Sequence, residues 1–133
     1  MKFEEFILSN SVNRAIRDMG FSIPTPIQEE AIPPALSGRD IIGQAQTGTG
    51  KTVAFGIPIV ERIDPVERVV QAIVLTPTRE LAVQVAKELE KIGKHKRITV
   101  LPVYGGQPIG KQLDELRKGV HIVLEHREGL LTI

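Results

Sequence analysis

The stretch Ala45-Gln46-Thr47-Gly48-Thr49-Gly50-Lys51-Thr52 limits what this chain can fold into more than any other part of its 133 residues. It follows a short β-branched run, Ile41-Ile42-Gly43-Gln44-Ala45, and precedes a helical pattern from Lys51 to Arg62. Gly48 and Gly50 permit backbone turns and close approaches that side chains forbid. A helix beginning at Lys51 turns its unsatisfied N–H groups and positive dipole end toward the loop. Strand, glycine loop and helix nearly fit the phosphate-loop template, with Ala45 where the template has its first glycine. Main-chain N–H groups from Gln46, Thr47, Gly48, Thr49 and Gly50 are then expected around phosphate oxygens. Lys51 is expected between the outer phosphates, and the Thr52 hydroxyl on Mg²⁺, the one metal contact expected. Lys51 and Thr52 are thus the candidate catalytic residues. The plainer alternative is a turn into a capped helix with Lys51 in water.

The rest of the chain supports that setting. Val12, Ile16 and Met19 recur at helical spacing between a Ser9-Asn10-Ser11 cap region and Gly20. Ile27 to Leu36 predicts a second short helix, with Pro33 and Pro34 limiting its regularity. Beyond Asp40, expected strands at 41–45, 72–76, 98–104 and 120–123 alternate with expected helices at 51–62, 79–92 and 111–118. The first of these helices is expected to kink at Pro58, and the last carries Leu113 and Leu116 at helical spacing. Such alternation predicts an α/β fold with a mostly parallel sheet and helices on its faces.

Composition removes several other classes. Lys+Arg 17 against Asp+Glu 16 leaves a formal charge of +1, so nucleic-acid contact must be local. With no cysteine, thiolate nucleophiles, disulfides and zinc-thiolate sites are excluded. Apolar runs are too short to span a bilayer, and Met1-Lys2-Phe3-Glu4-Glu5 does not read as a signal peptide. A soluble, cytoplasmic chain without membrane contact is expected. Lys94-His95-Lys96-Arg97 is basic but lacks interleaved aromatics and reads as a solvated connection. His121 and His126 lack metal-ligand spacing.

Three further motifs flank the loop: Gly20-Phe21-Ser22-Ile23-Pro24-Thr25-Pro26-Ile27-Gln28, Pro77-Thr78-Arg79-Glu80-Leu81 and Gly105-Gly106. In this order, with Phe3 further upstream, they resemble the N-terminal RecA-like domain of DEAD-box RNA helicases. The resemblance runs from Phe3 to Val123. It implies part of a RecA-like P-loop NTPase domain with ATP and Mg²⁺ as cofactors. It also implies that Gln28 reads the adenine edge through its amide, which carries donor and acceptor together, and that Phe21 stacks on the base. Pro77, Thr78, Arg79, Gly105 and Gly106 would hold RNA by its backbone, with little sequence preference. The parent activity it implies is ATP hydrolysis coupled to unwinding of RNA duplexes.

Residues 124–133, Leu124-Glu125-His126-Arg127-Glu128-Gly129-Leu130-Leu131-Thr132-Ile133, depart from the family, which continues with a Thr-Pro-Gly-Arg motif. A one-base shift of reading frame would restore Val-Gly-Thr-Pro-Gly-Arg-Leu-Ile-Asp, so a frameshifted tail from Leu124 is expected. The family's Asp-Glu-Ala-Asp and Ser-Ala-Thr motifs and its second domain do not occur in this sequence. These 133 residues are therefore expected to bind ATP or ADP without efficient hydrolysis. A strand at 41–45 without its neighbours would present open edges and favour self-association. Two other classes stay open: a different P-loop enzyme such as a kinase or GTPase, and a non-catalytic nucleotide- or RNA-binding module.

Overall fold

A computed structural model describes residues 1–46, 50–103 and 109–126. In chain order the elements are α1 (Asn10–Asp18), α2 (Pro26–Leu36), α3 (Lys51–Arg62), β1 (Ala72–Thr76), α4 (Arg79–Ile92), β2 (Val100–Val103), α5 (Ile109–Lys118) and β3 (Ile122–His126). Short 3₁₀ turns occupy Phe3–Glu5 and Lys94–Lys96. The strands form one parallel sheet in the order β1-β3-β2, with Ala72 opposite Ile122 and Val100 also opposite Ile122. The last strand in sequence is the central one, so each strand pairing requires a helical crossover.

Local chemistry explains most element boundaries. Ser9 caps α1 by accepting a hydrogen bond from the Val12 N–H, and its hydroxyl donates to Glu61 at 2.7 Å, tying α1 to the end of α3. Thr78 caps α4 in the same way, accepting from the Leu81 N–H at 3.1 Å. Pro33 and Pro34 sit in the last turn of α2, where few downstream bonds remain to be broken. Helix α3 continues through Pro58 to Arg62.

Helix α4 packs on the sheet, and α1, α2 and α3 join it in one continuous core. Val12, Ile16, Ile32, Ile57, Val60, Leu89, Ile92, Ile122 and Leu124 form its interior. Gly56 allows α3 to lie close against α4, since a Cβ there would stand 2.8 Å from Ile92 Cδ1. The opposite sheet face has a smaller cluster of Val103, Val120 and Val123. Two histidines act structurally. Buried His121 accepts from the Thr99 N–H through Nδ1 at 3.0 Å and donates from Nε2 to the Pro65 carbonyl at 3.1 Å. His95 lies 2.5 Å from Asp18 and links the basic turn to α1.

The basic stretch is thus a structural connection. Lys96 Nζ donates to the carbonyls of Val60 at 2.7 Å and Glu61 at 3.0 Å, closing the C-terminal end of α3. Partial burial holds the Lys96 ammonium below its ordinary pKa.

Several expectations are corrected. Residues 41–45 form no strand: Ile41 is 40% and Ile42 95% exposed, and no described strand lies beside them to complete a ladder. The expected strand at 98–104 begins at Val100, and the one at 120–123 instead spans Ile122–His126. That last strand therefore runs three residues past Val123, with Leu124 fully buried in the core. On α5, Leu113 and Leu116 are 44% and 39% exposed.

Candidate functional site

Glycine chemistry at the start of α3 sets the geometry of the site. Gly50 caps the helix with φ +87°, in the left-handed region that side chains avoid. A Cβ on Gly50 would stand 2.3 Å from Gln28 Nε2 and 3.1 Å from Thr25 Oγ1. The backbone and these two side chains of α2's first turn are therefore pressed together.

Gln28 is almost wholly buried, and both ends of its amide are engaged. Its Oε1 accepts from the Thr25 N–H at 2.9 Å, and its Nε2 donates to the Gly50 carbonyl at 3.1 Å. One side chain thus satisfies the cap of α2 and latches α2 to the loop before α3. Thr25 Oγ1 is buried beside Gly50 without a hydrogen-bond partner. Thr25 was not among the sequence candidates, although the Thr-x-x-Gln spacing of a capping box was legible.

Next to this latch is a cavity of about 710 Å³. Phe21, Gly50, Lys51 and Thr52 line it on one side, and Val74, Leu75 and Thr76 of β1 on another. Four of the expected nucleotide residues therefore share one space at the carboxyl end of β1, where open α/β sheets bind ligands. Gln28 is buried behind Gly50 and does not line the cavity, and Gln46 is exposed outside it. Thr47, Gly48 and Thr49 lie outside the described residues. The Phe21 ring is 38% exposed and rests 6.2 Å from that of buried Phe3. The left-handed turn at Gly50 and the N-terminus of α3 suit an anionic ligand with Mg²⁺. Lys51 and Thr52 supply the cation and hydroxyl such a ligand needs.

Pro77, Thr78 and Arg79 form an exposed corner between β1 and α4. Thr78 is held there by two contacts: its hydroxyl accepts from Leu81, and its carbonyl accepts from Thr76 Oγ1 at 3.0 Å. The corner opens the N-terminus of α4 toward solvent, which favours phosphate. Gly105 and Gly106 lie outside the described residues. Among the described residues, no group of acidic or histidine side chains forms a metal cluster, and no helix is long and apolar enough to cross a membrane.

The family model for DEAD/DEAH box helicases matches residues 25–133. The chain belongs to that family. It is 57% identical over 122 residues to the DEAD-box ATP-dependent RNA helicase CshA of Bacillus licheniformis, covering 92% of this chain and 25% of that protein. The CshA of Bacillus subtilis gives the same identity and coverage. Among solved structures, a DEAD box protein from Methanococcus jannaschii superposes with a TM-score of 0.93 at 41% identity, over 99% of this chain and 36% of that one. A second, described as a hypothetical ATP-dependent RNA helicase from Sulfolobus tokodaii, reaches 0.83 at 38% identity over 94% of this chain and 36% of that one. The chain spans about a quarter of the length of its curated relatives and corresponds to part of a RecA-like helicase domain.

Proposed function

We propose that these residues form the ATP-gripping and RNA-backbone-contacting part of an ATP-dependent RNA helicase. The carrying observation is the Gln28 amide held between the cap of α2 and the Gly50 carbonyl, beside a cavity lined by Phe21, Gly50, Lys51 and Thr52. The adenine ring stacks on Phe21. Gln28 exchanges its Gly50 bond for the adenine edge, so recognition of the base releases the loop that receives the phosphates. Gln46, Thr47, Gly48, Thr49 and Gly50 enclose those phosphates with main-chain N–H groups. Lys51 neutralises them as a point charge, and Thr52 ligates the metal. Bound Mg²⁺ supplies charge neutralisation across the outer phosphates.

RNA lies across Pro77, Thr78 and Arg79 and the Gly105-Gly106 pair, held by phosphate contacts that carry no base sequence. Hydrolysis also requires an acidic group on the metal's water shell and arginines from a second domain, roles assigned to no residue here. These 133 residues alone therefore bind ATP without efficient turnover. We infer that residues 124–133 are a frameshifted tail, and codons around position 124 that cannot be reframed would refute it. Exposed Ile73 and Leu75 on β1, 63% and 62% accessible, support self-association along its free edge.

Titration with ATP, ADP and GTP in Mg²⁺ tests the reading. Wild-type protein binds ATP and ADP in preference to GTP, while Gln28→Ala loses that preference. Lys51→Ala weakens phosphate binding and retains adenine selectivity. Equal affinity for ATP and GTP favours another P-loop class, and no nucleotide binding favours a non-catalytic module.

A further inference from the structure

Helix α3 borders a second cavity on its α2 side, a groove of about 460 Å³ that the nucleotide reading does not use. Its length comes from small side chains: Ala31 and Ala35, one turn apart on α2, face Ala54 and Ile59 of α3. Arg39 and Arg62 close one end. They are brought together because the Arg62 guanidinium lies against Gly38, where a Cβ would stand 2.8 Å from its Nη2. Lys51 and Phe55 line both this groove and the nucleotide cavity.

Charge makes this groove selective. No Asp or Glu lines it, and neither Arg39 nor Arg62 forms an ion pair among the described residues. The adjacent acids in sequence are engaged elsewhere or turned away: Glu61 accepts from Ser9, and Asp40 does not line the groove. Two planar guanidiniums at the end of an apolar trough match a carboxylate carrying a hydrocarbon tail. The head satisfies otherwise solvated cations, and the tail gains about 25 cal/mol per Å² of apolar surface removed from water. A nucleotide has no apolar body to lay along the alanines. A short carboxylate has no tail to bury, and a neutral alcohol leaves the guanidiniums unmatched.

We propose that the α2–α3 groove binds an aliphatic carboxylate, its head on Arg39 and Arg62 and its chain along Ala31, Ala35 and Ile59. Calorimetric titration of the whole chain with octanoate, butyrate and octanol tests this. Octanoate binds saturably at one equivalent, at least tenfold more tightly than either comparator. The double variant Arg39→Gln/Arg62→Gln lowers octanoate affinity at least tenfold and leaves octanol binding unchanged, because both arginines are exposed and unpaired. Ala35→Phe fills the trough and removes octanoate binding, with circular dichroism confirming a folded chain. The proposal is overturned by non-saturable uptake, by equal affinity for octanoate and octanol, or by octanoate binding that survives the arginine variant. Should Ala35→Phe fail to fold, the arginine variant alone decides.

Discussion

Replacing Gln28 with alanine removes two hydrogen bonds at once, and its cost can be worked from their geometry. The Thr25 N–H loses its acceptor at 2.9 Å, and the Gly50 carbonyl loses its donor at 3.1 Å. Each neutral bond contributes about 1 kcal/mol net, and a side chain only 2% exposed leaves a void worth roughly another 1 kcal/mol. The sum, about 3 kcal/mol, is a large share of a typical domain stability of roughly 5–15 kcal/mol. For a chain of this size the thermal midpoint should fall by about 10 °C. Urea unfolding of the nucleotide-free protein measures the cost directly. Gln28→Met, which keeps the volume but neither bond, should lose about 2 kcal/mol and so separate bonding from packing. A loss below about 1 kcal/mol in Gln28→Ala would refute the claim that this amide latches α2 to Gly50 at the start of α3.

Three other outcomes are expected. His121→Ala leaves the part-buried Thr99 N–H and Pro65 carbonyl without their shared partner and empties a fully buried ring site, so it should cost about 2–4 kcal/mol in denaturant titration. The hydrogen bond from His95, opposed by slight burial and aided by nearby positive charges, holds the Asp18 carboxyl below its ordinary pKa of 3.8. A depressed folded-state value means that its contribution is complete above about pH 4 and fades as pH falls through that value, so His95→Ala should raise the Asp18 titration by NMR and flatten the acid limb of stability. Ile73→Lys places a charge on an exposed edge residue; sedimentation should show less association with an unchanged unfolding midpoint.

Helices were legible where periodicity and caps agreed. Lys51–Arg62 and Arg79–Ile92 start and stop where Gly50, Thr78 and the apolar spacing place them, because those determinants lie within a few residues. The run Ile41 to Ala45 has strand composition but no ladder, since a strand is completed by a distant neighbour that its own residues cannot specify. The same limit applies at the site. Gly50, Lys51 and Thr52 follow from local motif chemistry and Phe21 from the family resemblance, and the four share one cavity. The internal engagement of Gln28, the part played by Thr25 and the use of Lys96 to close α3 all depend on contacts across 22 to 36 residues or on burial. Spacing alone carries no sign of them.

The hydrogen at Gly56 has a reach beyond its own position. Five residues, or about 7.5 Å of helix, separate it from Lys51. A β-carbon there meets Ile92 Cδ1 at 2.8 Å and Leu89 Cδ2 at 3.2 Å, so those side-chain ends must give way in the α3–α4 seam that seats the helix carrying the lysine. Screens for loss of nucleotide affinity should therefore recover substitutions at a residue no ligand touches, and in such screens a lesion in packing will look like one in chemistry.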